Sequence, residues 1–335
     1  MNIDEAWNSF IDCGEIEEYN EKEDITENHC DDIIPKPSEL YISTKTKIIY
    51  LTKEVDLYNI FWKLDIMPYD TQSEGIIKKQ IKIISNSESE LNDIKLKLQT
   101  YKYYDEHIIT HLEQHQSDVN IYKDVRKITV GISKKDILSY RSKQKSAFYN
   151  CFVLILRIKN TIGSTYKEVH VKIFNTGKVE IPGVQNDDIF EKCCNYVITI
   201  LNNKSTIKYD INKSKTETIL INSNFHCGFC INRQLLFDIL RSKKYNLNVS
   251  YDPCSYPGIQ CKYTLTTFTI SFMIFRTGSI LIVGKSNDKN IYDVYEFLKK
   301  TLYTEYHNIR EIYSTVIKVK EKVQKSRKKI IYIDI

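Results

Sequence analysis

Arginine, glycine, proline and tryptophan are all scarce in this chain. Only eight of its 48 basic residues are arginine, and its 335 residues include 10 glycines, 6 prolines and 2 tryptophans. No Gly-rich phosphate loop, nucleophile elbow or HExxH pair is present, and no two carboxylates have a spacing that reads as acid and base. These absences exclude the common nucleotide-hydrolysing, esterase and metalloprotease sites, so the expectation is a non-enzyme that needs no cofactor. No apolar run approaches the roughly 20 residues of a membrane span, and no basic segment followed by an apolar one opens the chain. The sequence therefore predicts a soluble, intracellular protein without a membrane partner, whose nine cysteines stay reduced. The excess of Ile, Asn, Tyr and Lys reads as the imprint of an AT-rich genome and carries little functional weight.

Charge is present, but unevenly. Residues 1–32 hold twelve carboxylates against one base, Lys22, a balance of −11, so the rest of the chain carries +16. A basic body with an acidic arm suits a polyanion-binding surface plus a tail that avoids or imitates the polyanion. The arm also contains Trp7, Phe10, Ile11, Ile16 and Tyr19. It reads as a solvated, disordered segment, or as one that folds onto a partner or back onto the basic body.

Two copies of one pattern organise the remainder. Ile173-Phe174-Asn175-Thr176-Gly177-Lys178-Val179-Glu180-Ile181-Pro182-Gly183 shares six of eleven positions with Ile274-Phe275-Arg276-Thr277-Gly278-Ser279-Ile280-Leu281-Ile282-Val283-Gly284, at a constant offset of 101 residues. Each copy predicts a strand, a tight Thr-Gly turn and a second strand, followed by a helix at 187–202 or 289–305. Two copies so far apart imply a duplicated half-domain rather than a solenoid.

The rest follows from periodicity and punctuation. Pro35 and Pro37 end the acidic arm (1–35), and a strand at 40–44 and a helix near 55–66 follow, the latter with Leu57, Ile60 and Phe61 on one face. Residues 71–147 look inserted, with a strand at 76–84, a helix at 87–98 capped by Ser87 and Glu90, and a second helix at 104–116. That second helix would align His107, His111 and His115, which reads as a solvated face more readily than as a metal site. A meander over 148–183 completes the first half (36–203), and a Lys/Asn/Ser/Thr-rich linker spans 204–217. The second half (218–309) predicts a strand at 218–224, a helix at 231–242, a tight stretch at 251–258 and strands at 259–265, 267–276 and 279–284; a basic tail (310–335) closes the chain. Cys227 and Cys230, beside His226, form a CxxC whose thiols read as buried, with a redox or zinc role the lesser alternative.

Tyr251-Asp252-Pro253-Cys254-Ser255-Tyr256-Pro257-Gly258, together with the two hairpins, resembles the TATA-box-binding protein family, in which two tandem repeats carry a Y-E-P-E-x-F-P-G stretch and I-F-x-S-G-K hairpins. The resemblance covers about 36–70 and 148–309. It implies an α+β fold, a saddle-shaped curved antiparallel sheet with helices on its convex side, and a concave face that binds and bends AT-rich promoter DNA in the minor groove with aromatic wedges. By resemblance the wedges are Tyr256 and Phe275 in the second repeat, and Phe174 with Phe148 or Phe152 in the first. A rival register instead aligns Tyr69 through Ile77 with 251–259 and puts Ser73 at a wedge. Ile42, Ile221, Leu281 and Val283 would face the groove, and Arg157, Lys159, Lys178 and Lys262 the phosphates. The turn at Asp252 and Cys254 would meet a B-type initiation factor and the RNA polymerase machinery. Central asparagines of the family are replaced by Leu40 and Ile219, and Lys172, Glu180 and Pro182 intrude on the first repeat's face. The implied function is a transcription initiation factor of divergent form, like those of large DNA viruses. The second reading is a docking platform in a transcription complex that has lost most of its DNA affinity.

Overall fold

The computed structural model describes residues 34–116, 119–138, 148–160, 165–245, 247–265 and 268–311. The acidic arm, with Trp7 and Phe10, and nearly all of the basic tail lie outside them. The described chain forms two compact units, an N-terminal one of residues 46–217 and a C-terminal one that joins 34–45 to 218–311. The division falls inside the first strand, β1 (Tyr41–Tyr50). The predicted linker at 204–217 thus belongs to the N-terminal unit, where Tyr209 is buried and Ile211 bridges Leu51.

In the N-terminal unit β1 is followed by α1 (Leu57–Lys63), β2 (Gly75–Ser85), α2 (Glu88–Leu98), β3 (Tyr104–Gln116), β4 (Val119–Gly131), α3 (Lys134–Leu138), β5 (Cys151–Lys159), β6 (Tyr166–Phe174), β7 (Lys178–Val184) and α4 (Asp187–Lys204). The strands lie in the order β3-β4-β2-β5-β6-β7-β1. Alternation sends Phe152, Leu154, Leu156, Val169, Val171 and Ile173 to one face, where α1 and α4 cover them. Side chains cap the helices as their sequences dictate: Ser87 accepts from the Glu90 amide and Asn186 from the Ile189 amide. Lys79 is fully buried on the helix-covered face and donates to the carbonyls of Phe61 (2.8 Å) and Leu64 (2.7 Å) at the end of α1. Burial pushes its ammonium down to about 8.

The insertion corrects one expectation. Residues 104–116 are the strand β3, not a helix, paired along its length with β4. A spacing of four residues aligns side chains on a helix but is also an even number, so it fits a strand equally well; the partner strand decides. A bulge between Ile108 and Thr110 then shifts the alternation. His107 opposes Lys127 while His111 opposes Asp124, so the two imidazoles fall on opposite faces. His111 instead bonds Asp124 at 2.8 Å; the side chain of His115 is outside the described residues.

The C-terminal unit repeats the plan without the insertion. It comprises β8 (Glu217–His226), α5 (Arg233–Arg241), β9 (Asn248–Ser250), β10 (Ile259–Thr264), β11 (Thr269–Ile274), β12 (Ser279–Gly284), α6 (Asp288–Thr304) and α7 (Tyr306–Ile309), with strand order β8-β12-β11-β10-β9. Ile221, Phe225, Ile270, Phe272, Ile280 and Ile282 form its core with Val294, Tyr295 and Leu298 of α6. The two Thr-Gly turns are the same: Gly177 and Gly278 have φ of +79° and +88°, and each amide donates 3.0 Å to the carbonyl of Phe174 or Phe275. A side chain at Gly278 would also strike the Phe229 carbonyl, 2.2 Å from an ideal Cβ, so glycine is required twice over. Among the described residues no helix is long and apolar enough to cross a membrane.

Candidate nucleic-acid interface

In each unit the sheet face opposite the core carries rows of side chains in cross-strand register, and in the N-terminal unit α3 folds over one end of it, where Asp136 bonds Lys78 and the Lys134 amide bonds Glu168. In the C-terminal unit that face is built by cross-strand rows. Asn222, Val283, Ser271 and Lys262 form one row, and Asn224, Leu281, Met273 and Gln260 the next. Apart from Lys262 the rows are neutral, and Val283 packs with Leu220 in a small apolar cluster. The Asn222 amide donates to Thr44 Oγ1 at 3.0 Å, while its Oδ1, although buried, has no partner within the protein.

Leu281 and Val283 therefore lie on the open face, but Ile221 does not. It is 1% exposed in the helix-covered core, and Ile42 packs against that core too. Alternation along β8 gives the open positions to its neighbours Asn222 and Asn224, which sequence matching to the family passed over. Strand parity, counted from the buried Phe225, is the signal that finds them.

At the edge of this face Tyr256 and Phe275 form a tilted pair with ring centroids 6.0 Å apart. Both rings close over Gly258; an ideal Cβ there would lie 3.1 Å from each. Pairing of Ile259 with Ile274 places Gly258 opposite Phe275, and the ring two residues earlier leans onto it. Arg233 donates to the Pro257 carbonyl and holds this turn against α5. Burial raises the Tyr256 hydroxyl above its ordinary range.

The N-terminal unit has the same rows with different contents. Thr129, Gln80, Val153, Lys172 and Glu180 lie side by side across β4, β2, β5, β6 and β7. Glu180 is 3% exposed and bonded to Lys172 at 2.8 Å, with Lys178 at 3.8 Å. The carboxylate is thus paired rather than isolated. Opposite Phe174 stands Cys151 instead of a glycine. Lys178 lies 5.0 Å above the Phe174 ring and Lys172 5.3 Å from the exposed Phe148 ring. Phe152 is fully buried in the core and is no wedge. By cross-strand register the counterpart of Tyr256 is Tyr149, two residues before Cys151; its exposed ring carries Lys82 at 3.3 Å. The rival register is not followed either, because Gly75 opens β2, which flanks β5 as β9 flanks β10, and Ser73 bonds Met67 Sδ.

Among the predicted phosphate ligands Arg157 is withdrawn. Its guanidinium donates to the carbonyls of Thr71 (2.5 Å) and Tyr69 (2.8 Å) and stacks on the Tyr69 ring, which fastens the 69–71 loop to β5. Lys159 and Lys262 are exposed, and Lys178 is half-buried. Asp252 and Cys254 lie exposed on the turn before Tyr256. Asp252 accepts from the Cys254 amide at 3.0 Å and from the Ser255 hydroxyl, and these bonds hold its carboxyl below its ordinary value. Cys227 donates its thiol to the Phe229 carbonyl at 3.2 Å, and burial pushes it up to about 12, so it stays protonated; Cys230 is half-buried. Among the described residues no three His, Cys, Asp or Glu side chains are grouped to hold a metal.

Comparison with known proteins agrees with this geometry. The family model described as transcription factor TFIID (or TATA-binding protein, TBP) matches residues 221–304, nearly all of the C-terminal unit after its first strand begins. A TATA-box-binding protein-like protein of Acanthamoeba polyphaga mimivirus is 27% identical over 205 residues, covering 53% of this chain and 55% of that relative. The chain thus spans about half the length of the curated relative it matches. The TBP of Methanococcus jannaschii superposes with a TM-score of 0.42 at 12% identity, over 80% of this chain and 99% of that one. The family match falls on the C-terminal unit, an antiparallel sheet with helices packed on one face. Residues 221–304 thus match the TATA-binding protein family model, and the chain is similar to a TATA-box-binding protein-like protein of a large DNA virus.

Proposed function

We propose that this TBP-type protein binds double-stranded, AT-rich promoter DNA in the minor groove and bends it, nucleating a transcription initiation complex. The observation that carries the reading is the Tyr256–Phe275 pair, set at the edge of a neutral, partly apolar sheet face. Apolar wedges beside such a face suit partial unstacking of a base step, and uncharged amides such as Asn222 and Asn224 suit the degenerate acceptor pattern of the minor groove. The acidic turn at Asp252 and Cys254 is a separate edge, suited to a B-type initiation factor and, through it, the polymerase. Likeness to a mimivirus protein supports a viral setting for this activity. A docking platform that has lost most of its DNA affinity drew its support from Glu180 and from the missing central asparagines; the ion pair with Lys172 weakens the first of these, and Asn222 and Asn224 offer amides on the same face. The test is Tyr256→Ala with Phe275→Ala in a fluorescence bending assay on AT-rich and GC-rich duplexes. Loss of bending with retained folding is expected; normal kinking by the double variant would overturn the wedge assignment.

A further inference from the structure

One helix of the insertion lies on the open face rather than on the core side. Directly after β4, Ser133 caps α3: its amide (2.8 Å) and its hydroxyl (2.7 Å) both donate to the Asp136 carboxylate, three residues on. The same carboxylate accepts from Lys78 of β2 at 2.6 Å, and the Lys134 amide donates to Glu168 of β6 at 3.0 Å. β2 and β6 are the two neighbours of β5, so α3 straddles that strand. Along this stretch Lys78, Ile155 and His170 form one cross-strand row. Ile155 is buried, and the His170 imidazole is half-buried among Lys135 and Asp136 of α3 and Lys78 and Lys172 of the sheet. His170 and Ser271 each stand four residues before their hairpin phenylalanine, and Ile155 pairs with His170 as Lys262 pairs with Ser271. The row beside α3 is therefore the counterpart of the Asn222–Lys262 row. The C-terminal unit lacks the insertion, and α3 with it.

We propose that α3 is an autoinhibitory latch on the first repeat's DNA face, so that a duplex must displace Asp136 from Lys78 before it can lie on the row of Ile155 and His170. The inference rests on the DNA-binding reading above and concerns its regulation. The latch is held by polar contacts alone. None of the five residues of α3 is buried, and the Asp136 side chain is 42% exposed. An ion pair with one exposed partner is a weak fastening, and segments with few buried apolar contacts are the first to open. The latch also carries the charge that a competitor for DNA needs: it sets a carboxylate on Lys78, where a polyanion would bring a phosphate.

The test uses the full chain and the variant Lys134→Pro/Asp136→Asn. Proline is tolerated at the first helical position, where it removes the amide that holds Glu168; asparagine keeps a capping oxygen but gives up the charge facing Lys78. Lys134→Gln, which keeps both bonds, is the control. The first readout needs no DNA: the His170 ring is titrated by NMR. Beside α3 it is pushed down to about 4, chiefly by burial, and release should bring it toward the ordinary value of about 6.5. Loss of the Asp136 charge with α3 still seated would move it the other way, because that carboxylate raises it. The second readout is affinity for an AT-rich duplex. An open form populated at about 10% or less lowers apparent affinity about tenfold or more, so the variant should bind tighter by about that factor and the control like wild type. A His170 titration that stays low would overturn the latch. A titration that rises with unchanged affinity for a duplex the wild type binds would place α3 off the DNA path and overturn its inhibitory role. If neither protein binds any duplex although His170 is released, the DNA reading itself fails, and the inhibitory role falls with it. Thermal unfolding of variant and wild type should agree; where the double variant does not fold, Asp136→Asn alone carries both readouts.

Discussion

The two units share one strand order and one hairpin but present opposite kinds of surface. On the C-terminal open face the residues opposite one another are Asn224 and Leu281, Asn222 and Val283, Leu281 and Met273. On the N-terminal face the corresponding rows hold Lys172 against Glu180, and the aromatic positions are each accompanied by a lysine. A single backbone position accounts for part of the contrast: Gly258 admits two rings, whereas Cys151 fills the same place with a side chain. A topology can thus be duplicated while one copy keeps a packed aromatic pair and the other places an ion pair on its face. Pre-organisation matters because rings already packed together lose less freedom on binding.

The largest test of this contrast sets one aromatic pair against the other. Tyr256→Ala with Phe275→Ala should cost about 2 kcal/mol or more in DNA affinity, on the scale of base–aromatic stacking, and should remove the bend. Tyr149→Ala with Phe174→Ala should cost less than half of that. Equal losses in a side-by-side titration would mean that the two edges act alike and that the glycine is incidental.

Next in size is the ion pair. Glu180→Val strands a mostly buried Lys172 and should destabilise the N-terminal unit by about 2 kcal/mol in urea unfolding, since removing one partner of a buried pair leaves an uncompensated charge. The same change frees Lys172 for a phosphate, so the salt slope of DNA binding should steepen by about 0.9. Glu180→Leu with Lys172→Met should recover stability without steepening the slope. A double variant as unstable as the single one would show that packing, not charge, is at stake.

Acid should separate the units more gently. In the N-terminal unit His170, half-buried near Lys135, Lys78 and Lys172, is pushed down to about 4, chiefly by burial. The unfolded imidazole takes up its proton near pH 6.5, so the unfolded state binds more protons between about pH 6.5 and 4. Stability contributed by this site is lost as pH falls through that window. In the C-terminal unit Glu305 accepts from Lys244, Tyr245 and Asn308, which hold it down to about 2. Its contribution is present above about pH 4.3 and is lost only as pH falls toward 2. Hydrogen exchange against pH should show protection weakening first in β5 and β6, and His170→Gln should flatten that early loss. Simultaneous loss in both units would break the assignment.

The smallest effect is confined to the C-terminal turn. Asp252→Lys should leave DNA affinity nearly unchanged while weakening capture of a B-type initiation factor on preformed complex. Equal losses in both assays would mean that the turn is part of the DNA face rather than a separate edge.

Much of this was settled by the sequence. Thr-Gly between β-branched residues permits little besides the left-handed glycine turn, and Gly177 and Gly278 adopt it with matching hydrogen bonds. Ser87 caps its helix because a short polar side chain bonds the amide three residues on. The Tyr-Asp-Pro…Tyr-Pro-Gly stretch carried the family, and with it the aromatic pair, in local residues alone. Neighbours distant in sequence decided the rest. His107 to His115 fit either period until β4 supplied a partner and the bulge a change of face. Glu180 became half of an ion pair only when β6 placed Lys172 beside it, and Arg157 became a loop anchor only when residues 69–71 folded over it. Whether a charge is buried, paired or offered to a ligand depends on which strand lies alongside, and a single chain of residues does not contain that neighbour until it has folded.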